Sequence, residues 1–313
     1  MYGDPKSHDL RTALAAYHGV QLSNICVGEG IDGLLACVAQ LLVDRGDAVV
    51  TTRGTYPTLS YFVQGMGGTL HNVPYGKDDR HDIHALLRTA AEVDAKLIYF
   101  VNPDNPSGTW HEPARVEAMI EQAPPGCLVL IDEAYHELGH ELGTVPQVAA
   151  DDLRVLRLRT FSKGYGMAGA RIGYAIGAQE IIAAFDKIRS HFGVNRIAQA
   201  GALAALEDAA YLDRVREQVA AGRARLSNIA REHGLSPLPS ATNFVTIDCG
   251  RDGPFARLVL AEMLERDVFV RMPGAAPLDR CIRVSAGTDE ELSVFEAALP
   301  QALEAASRLA ELE

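Results

Sequence analysis

The stretch Arg159-Thr160-Phe161-Ser162-Lys163 follows the alternating run Val155-Leu156-Arg157-Leu158, which predicts a β-strand. It therefore places a lysine and two hydroxyls where a strand ends and a glycine-rich turn begins. A lysine at a strand end can become a Schiff-base nucleophile when burial or a nearby cation lowers its pKa. Arg171, close by in the sequence, could hold a phosphate with two parallel hydrogen bonds. The same stretch also fits an ordinary surface lysine, so the role of Lys163 depends on the residues around it.

Short apolar runs alternate with amphipathic segments through the first two-thirds of the chain. The runs at residues 24–27, 48–52, 69–73, 96–101, 127–131 and 155–158 predict strands. The segments at 31–43, 57–66, 84–91 and 113–122 predict helices. This rhythm is typical of an α/β fold, a mainly parallel sheet with helices on both faces. A further strand at 171–176 follows too short a loop for a parallel crossover, so we expect it to run antiparallel.

The pattern changes after about residue 195. Helices are predicted at 197–206, 211–233, 254–266 and 289–312, and strands at 243–248, 268–271 and 281–285, with a turn at 234–240. These elements predict a smaller α+β domain. We therefore expect a large domain over 22–195 and a small domain over 1–21 and 196–313.

Composition narrows the class of function. The formal charge is −12, so the chain has no basic surplus with which to bind nucleic acid. The five cysteines lack metal-ligand spacing and fit buried free thiols in a reducing compartment. No apolar stretch is long enough to span a bilayer, and residues 1–5 do not read as a signal peptide. We expect a cytoplasmic protein without a metal site.

Five predicted strands end in distinctive polar groups. They are Gly28-Glu29-Gly30-Ile31-Asp32-Gly33, Arg53-Gly54-Thr55-Tyr56-Pro57, Asn102-Pro103-Asp104-Asn105-Pro106-Ser107-Gly108, Asp132-Glu133-Ala134-Tyr135 and Thr160-Phe161-Ser162-Lys163. Ligands of open parallel sheets collect at the carboxyl ends of the strands. We therefore expect these groups to line one pocket.

The glycines at 28, 30 and 33 predict a phosphate cradle at a helix N-terminus. They also match the dinucleotide fingerprint, although the second strand ends at Arg53 and not at a carboxylate, so an NADP site stays an alternative. Asp132 is the sharpest single residue, because a carboxylate ending a buried strand needs a cationic or N–H partner. A pyridinium nitrogen would be such a partner. The alternative without a ligand is that Asp132 caps the N-terminus of a helix.

Four stretches carry a resemblance to a known family: residues 102–108 (NPDNPSG), 132–135 (DEAY), 159–174 (RTFSKGYGMAGARIGY) and 281–288 (CIRVSAGT). In this order they resemble the fold-type I pyridoxal-phosphate aminotransferases, and most closely their histidinol-phosphate aminotransferase branch. The resemblance extends over nearly the whole chain. It implies pyridoxal 5′-phosphate (PLP) as cofactor, an amino donor and a 2-oxo acid as substrates, and a homodimer.

The resemblance also implies residue roles. Lys163 would link to the cofactor and move a proton, Asp132 would pair with the pyridine nitrogen, and Tyr135 with Asn105 would bind the phenolic oxygen. Further expected contacts to the cofactor are the stacking ring of Tyr56 and, at its phosphate, Gly30, Ile31, Asp32, Thr160, Ser162, Arg171 and Tyr2 from a partner subunit. Arg283 would bind the substrate carboxylate, and Arg271 would help with a distal anionic group.

Two features depart from the family pattern. Ile31 stands where a small residue is usual, so a hydroxyl contact to the phosphate is lost. Family members also carry some tens of residues before the Tyr2-Gly3-Asp4-Pro5 element, so we expect the arm that helps to cover the substrate to be missing. Aromatic amino-acid transamination and decarboxylation of a phosphorylated amino acid share the ring chemistry and stay open. An NADP oxidoreductase and a non-catalytic domain of the same fold are the remaining alternatives.

Overall fold

A seven-stranded mixed sheet forms the centre of the computed structural model, which describes residues 2–139, 143, 146 and 148–311. Its strands are β1 (Ile25–Gly28), β2 (Ala48–Thr52), β3 (Thr69–Val73), β4 (Leu97–Val101), β5 (Leu128–Asp132), β6 (Val155–Thr160) and β7 (Gly173–Gly177). Their order is β1-β7-β6-β5-β4-β2-β3, and only β7 is antiparallel to its neighbours. The α/β prediction and the antiparallel strand are both confirmed.

The described residues form helices on both faces of this sheet and three further helices, α9 to α11 below, that pack with a second, smaller sheet. They are α1 (His8–His18), α2 (Gly30–Leu42), α3 (Thr58–Met66), α4 (Ile83–Glu92), α5 (Pro113–Glu121), α6 (His136–Gly139), α7 (Gln179–Phe185), α8 (Arg196–Glu207), α9 (Ala209–Glu232), α10 (Gly253–Leu264) and α11 (Asp289–Ala310). Every residue of β4 and β5 is buried, which explains why both read as unbroken apolar runs. None of the helices in this described part is long and apolar enough to cross a membrane.

Three antiparallel strands form a second sheet in the order β10-β9-β8. They are β8 (Ser236–Pro237), β9 (Phe244–Asp248) and β10 (Cys281–Ser285). The strand predicted at 268–271 is wrong, because only Arg271 forms a bridge, to Arg283. Pro273 stands two residues later and has no N–H to extend that pairing. The predicted turn at 234–240 contains β8.

Helices α1, α6 and α7 were not predicted. Leu10 and Leu14 of α1 pack with Ile25 and Tyr174 of the large sheet, and α1 also packs against α8. The division into a domain over 22–195 and one over 1–21 with 196–313 stays a prediction. Its terminal residues 1, 312 and 313 lie outside the described residues, as does the last residue of the helix predicted at 289–312.

Arg280, directly before β10, ties the two sheets together. Its guanidinium contacts Asp79, in the loop after β3, at 2.7 Å and Asp248 of β9 at 2.6 Å. The amide of Ala241 also donates to the carbonyl of Gly108 at 2.9 Å. These contacts fix β10, which carries Arg283, against the carboxyl rim of the large sheet.

Candidate active site

A cavity of about 130 Å³ lies at the carboxyl rim of the large sheet. Strands β1 and β6 both pair antiparallel with β7, which lies between them, so they run in the same direction. The segments after β1, β2, β4, β5 and β6 therefore all reach this rim. The predicted site residues that line the cavity are Ile31, Asp32, Tyr56, Asn105, Asp132, Tyr135, Thr160, Ser162, Lys163 and Arg171. Polar groups far apart in the sequence therefore share one pocket.

Asp132 ends β5 at the floor of this cavity and is 2% exposed. Two neutral groups donate to its carboxylate: the Tyr99 hydroxyl to Oδ2 at 2.7 Å and the Ala134 amide to Oδ1 at 3.0 Å. Burial raises the pKa of Asp132 to about 6, although both hydrogen bonds and Lys163 act to lower it. A buried carboxylate in this state gains stability from any added cation that reaches it.

Lys163 follows β6 and reaches into the same cavity. Burial lowers its pKa, the charge of Asp132 opposes that shift, and Arg283 adds to it. Its Nζ lies 5.2 Å from the centre of the Tyr135 ring. A lower pKa increases the fraction of neutral amine, which is the form that attacks a carbonyl and accepts a proton.

The first turn of α2 and Arg171 form the polar end of the cavity. No side chain caps the N-terminus of this 13-residue helix, so its first N–H groups can receive an anion. Gly30 has φ +74°, and a Cβ built on it would lie 2.7 Å from Arg171 Nη2. Arg171 itself has φ +53° and contacts Asp32 at 3.3 Å. This glycine therefore keeps open a space between the helix end and the guanidinium.

Two hydroxyls complete that end. Thr160 Oγ1 donates to Ser162 Oγ at 2.9 Å and accepts from the Ser162 amide at 3.0 Å. The Tyr56 hydroxyl donates to Asp32 Oδ1 at 2.8 Å. Ile31 is buried in the apolar cluster beneath α2, so its side chain is part of the core.

Arg283 lies beside the cavity but does not line it. It donates to Asn105 Oδ1, and its guanidinium stands 4.7 Å from the centre of the Phe244 ring. Burial lowers the pKa of Arg283, and Tyr135 acts in the opposite direction. The guanidinium is thus placed next to the cavity, where it can meet a carboxylate with its planar fork.

Besides Gly30 and Arg283, two more predicted site residues do not line the cavity. The side chain of Arg271 is exposed, and its backbone N–H and C=O bond to Arg283 at 3.0 and 2.6 Å. Tyr2 is 78% exposed, and its ring lies 4.9 Å from that of Phe192. The roles expected for these two residues stay predictions.

Sequence reasoning missed the residues that support the site from behind. Asp104 is fully buried and accepts from Thr55, Tyr75 and Ser107, and His81 lies 3.1 Å from it. This cluster anchors the loop that carries Asn105. The two turn-forming prolines of that loop suggested rigidity, but nothing in the sequence connects residue 104 with residues 55, 75 and 81.

Three comparisons identify what the chain is similar to. The profile of the family described as Aminotransferase class I and II matches residues 1–299. A histidinol-phosphate aminotransferase of Moorella thermoacetica is 35% identical over 97% of this chain and 78% of its own length. Histidinol-phosphate aminotransferase 2 of Ralstonia nicotianae is 36% identical over 96% of this chain and 81% of its own.

A solved structure gives the same picture. The histidinol-phosphate aminotransferase of Sinorhizobium meliloti, crystallised in complex with pyridoxal-5′-phosphate, superposes with a TM-score of 0.94 and is 46% identical. The match covers 97% of this chain and 83% of that protein. The similarity therefore extends over both sheets.

Proposed function

This chain belongs to the class I and II aminotransferases, and on that premise we propose that it binds PLP in the cavity around Lys163 and transfers an amino group from a donor of the histidinol-phosphate type to a 2-oxo acid. One observation carries the proposal. A buried carboxylate with only neutral hydrogen-bond donors, Asp132, and a lysine with a lowered pKa, Lys163, share one small cavity. The names and identities of the relatives support the choice of donor.

The residues around the cavity fit PLP. A protonated pyridine nitrogen would supply the cation that Asp132 lacks. The α2 N-terminus, Arg171 and the hydroxyls of Thr160 and Ser162 would hold the phosphate. The gap that Gly30 leaves in front of Arg171 is where a Cβ would obstruct that phosphate.

We expect the remaining contacts to the ring to come from three side chains that line the cavity. Tyr56 would stack on the ring. Asn105 and the Tyr135 hydroxyl would donate to its phenolic oxygen.

When bound, PLP supplies an electron sink for the bonding pair that the Cα of the donor releases. Lys163 Nζ, whose pKa burial lowers, would in its neutral form take the proton from Cα and return it. Asp132 would keep its negative charge beside the ring nitrogen. Arg283 would bind the carboxylate of the 2-oxo acid, and Asn105, which it contacts, would link this substrate side to the cofactor side.

The distal anionic group of the donor needs a further cation. Arg271 is the residue that we propose for it, because its backbone pairs with that of Arg283, the residue proposed for the substrate carboxylate. Its exposed side chain is free to reach a phosphate.

We also propose a cytoplasmic homodimer. All five cysteines lie in the described part of the chain and none forms a disulfide, which suits a reducing compartment. Tyr2, Phe192 and Ile197 expose much of their apolar surface, which suits a contact with a second copy. Tyr2 would then reach the cofactor phosphate of the neighbouring subunit.

The experiment is a spectroscopic titration of the purified protein with amino donors. The protein reconstituted with PLP should absorb in the visible range, and histidinol phosphate should bleach that band more effectively than aromatic amino acids. Release of CO₂ from a phosphorylated amino acid would instead indicate a decarboxylase, and binding of NADP without a PLP spectrum would indicate an oxidoreductase.

Lys163→Ala tests the lysine in the same assay. The variant should transaminate at a rate lower by several orders of magnitude, whereas Lys187→Ala, which changes an exposed lysine, should match the wild type. Wild-type turnover by Lys163→Ala would refute the assignment.

A further inference from the structure

Tyr99 lies behind the cavity, in the middle of β4. It is 0% exposed and stands opposite Leu130 in the parallel pairing of β4 with β5. Because side chains two residues apart share a face, Leu130 and Asp132 point to the same side of the sheet. Tyr99 lies on this side too, in one apolar cluster with Leu34 of α2 and Leu130. Its ring thus reaches along the face to the end of the neighbouring strand.

The Tyr99 hydroxyl donates to Asp132 Oδ2 at 2.7 Å. Burial raises the pKa of Tyr99 well above its ordinary value, and the charge of Asp132 adds to the rise, so the phenol stays protonated and donates. The other carboxylate oxygen accepts from the Ala134 amide. Each oxygen is therefore held by one donor and keeps further capacity to accept.

We propose that Tyr99 is a positioning residue for Asp132: its hydroxyl favours the charged carboxylate and holds it in the orientation that meets a ring nitrogen in the cavity. The inference rests on the proposed function of this cavity as a PLP site. It adds a residue that does not line the cavity and acts only through Asp132. A phenol at this place stabilises the charged carboxylate without neutralising it. A second cation would also stabilise the carboxylate, but burying that cation would carry a larger desolvation penalty.

Other ionisable groups also act on Asp132, and the test has to separate them from Tyr99. Asp32 on α2 raises its pKa, and Lys163 after β6 lowers it. Tyr56 and Tyr135 stand close enough for the charge of Asp132 to raise their own pKa values. None of these four groups is altered by Tyr99→Phe, which removes one oxygen from a residue on a fifth segment.

The first measurement uses the apoenzyme. The carboxyl of Asp132 is titrated by infrared difference spectroscopy, with Asp132→Asn identifying its band. Tyr99→Phe should raise the titration midpoint by about one pH unit, because the charged form loses a hydrogen bond. Tyr174→Phe is the matched control: it removes a buried phenol whose hydroxyl bonds to His18 at 3.0 Å. It should leave the midpoint unchanged.

The second measurement is the equilibrium affinity of the apoenzyme for PLP between pH 6 and 9. At pH 6, Tyr99→Phe should bind PLP about fivefold more weakly than the wild type, because a carboxyl midpoint raised by about one unit from about 6 leaves far less of Asp132 charged, and the difference should shrink to about twofold at pH 7. As the pH is lowered, the affinity of the variant for PLP should begin to fall at a higher pH than that of the wild type. In the Asp132→Asn background the same substitution should change the affinity less than twofold, because the group that Tyr99 acts on is gone.

The outcomes distinguish two failures. An unchanged carboxyl midpoint together with unchanged PLP affinity in Tyr99→Phe would overturn the role of Tyr99 and leave the proposed function intact. Failure of the wild-type apoenzyme to bind PLP at all would overturn the proposed function, and the inference with it. An equal loss of affinity in the Asp132→Asn background would also overturn the inference, since Tyr99 would then act by another route.

Discussion

Glu133→Gln is expected to destabilise the fold next to the active site. Glu133 follows Asp132, is 1% exposed, and accepts from Arg157 at 2.9 and 3.0 Å and from Arg159 at 2.7 Å. Burial acts to raise the pKa of Glu133, but the two arginines outweigh it and lower the pKa to about 2. Glutamine removes the charge and turns an N–H₂ group toward one of the guanidinium donors.

The magnitude follows from that pKa. The distance between its ordinary value of 4.5 and about 2 corresponds to about 3 kcal/mol, at about 1.4 kcal/mol per pH unit. A loss of about 3 kcal/mol also agrees with the usual cost of leaving a buried arginine without its partner. Because the folded-state pKa is lowered, this stabilisation is complete above pH 4.5 and is lost as the pH falls toward 2. By pH 3, less than half of it should remain.

Urea denaturation of the apoenzyme, followed by circular dichroism, measures the change. The free energy of unfolding of Glu133→Gln should lie about 3 kcal/mol below that of the wild type at pH 7, and the difference should shrink at pH 3. The control is Glu304→Gln on α11, an exposed residue 3.2 Å from Arg308, which should change stability by less than about 0.5 kcal/mol. A change for Glu133→Gln below 1 kcal/mol, or one that does not shrink on acidification, would refute the reasoning.

Two further substitutions address the ends of the cavity. Gly30→Ala should weaken PLP binding by roughly tenfold or more, because the added Cβ would meet Arg171 and the backbone φ of +74° disfavours alanine. Equilibrium dialysis measures the loss. The control Gly65→Ala, which places its Cβ in open space, should bind PLP as the wild type does. Arg283→Lys should raise KM for the 2-oxo acid by roughly 10- to 100-fold in steady-state kinetics, because lysine lacks the planar guanidinium that binds a carboxylate with two hydrogen bonds. An unchanged KM would show that Arg283 does not bind the substrate. The control Arg308→Lys, on the surface, should leave KM unchanged.

Much of the large sheet could be predicted because its strands, apart from the partly exposed edge strand β3, are mostly buried. Residues 48–52 and 69–73 were predicted with the bounds that the structure has, and the antiparallel run of β7 followed from loop length alone. Helix α1 was not predicted, because Leu10 and Leu14 are the only large apolar side chains among its buried residues. Residues 268–270 are apolar, as expected for a strand, but only Arg271 pairs, with Arg283. Pairing depends on the neighbouring strand and on Pro273, and the alternation of apolar residues reports on neither.

The cavity could be predicted because polar groups end five strands that the topology brings to one rim. The residues behind it could not. Tyr99 belongs to an apolar strand and reads as core, and only the register of β4 with β5 shows that its hydroxyl meets Asp132. Asp104 and His81 are 23 residues apart in the sequence, and no periodicity relates them. The support of a site depends on tertiary contacts, whereas its rim follows from strand ends.

The claim that PLP binds covalently at Lys163 opposite Asp132 has one direct measurement. The wild-type protein is loaded with PLP, reduced with borohydride, digested, and mapped by mass spectrometry. The account predicts that the reduced cofactor is found on Lys163 in nearly every molecule, and that prior addition of histidinol phosphate prevents the attachment. Reduced cofactor spread over other lysines, or none on Lys163, would contradict it.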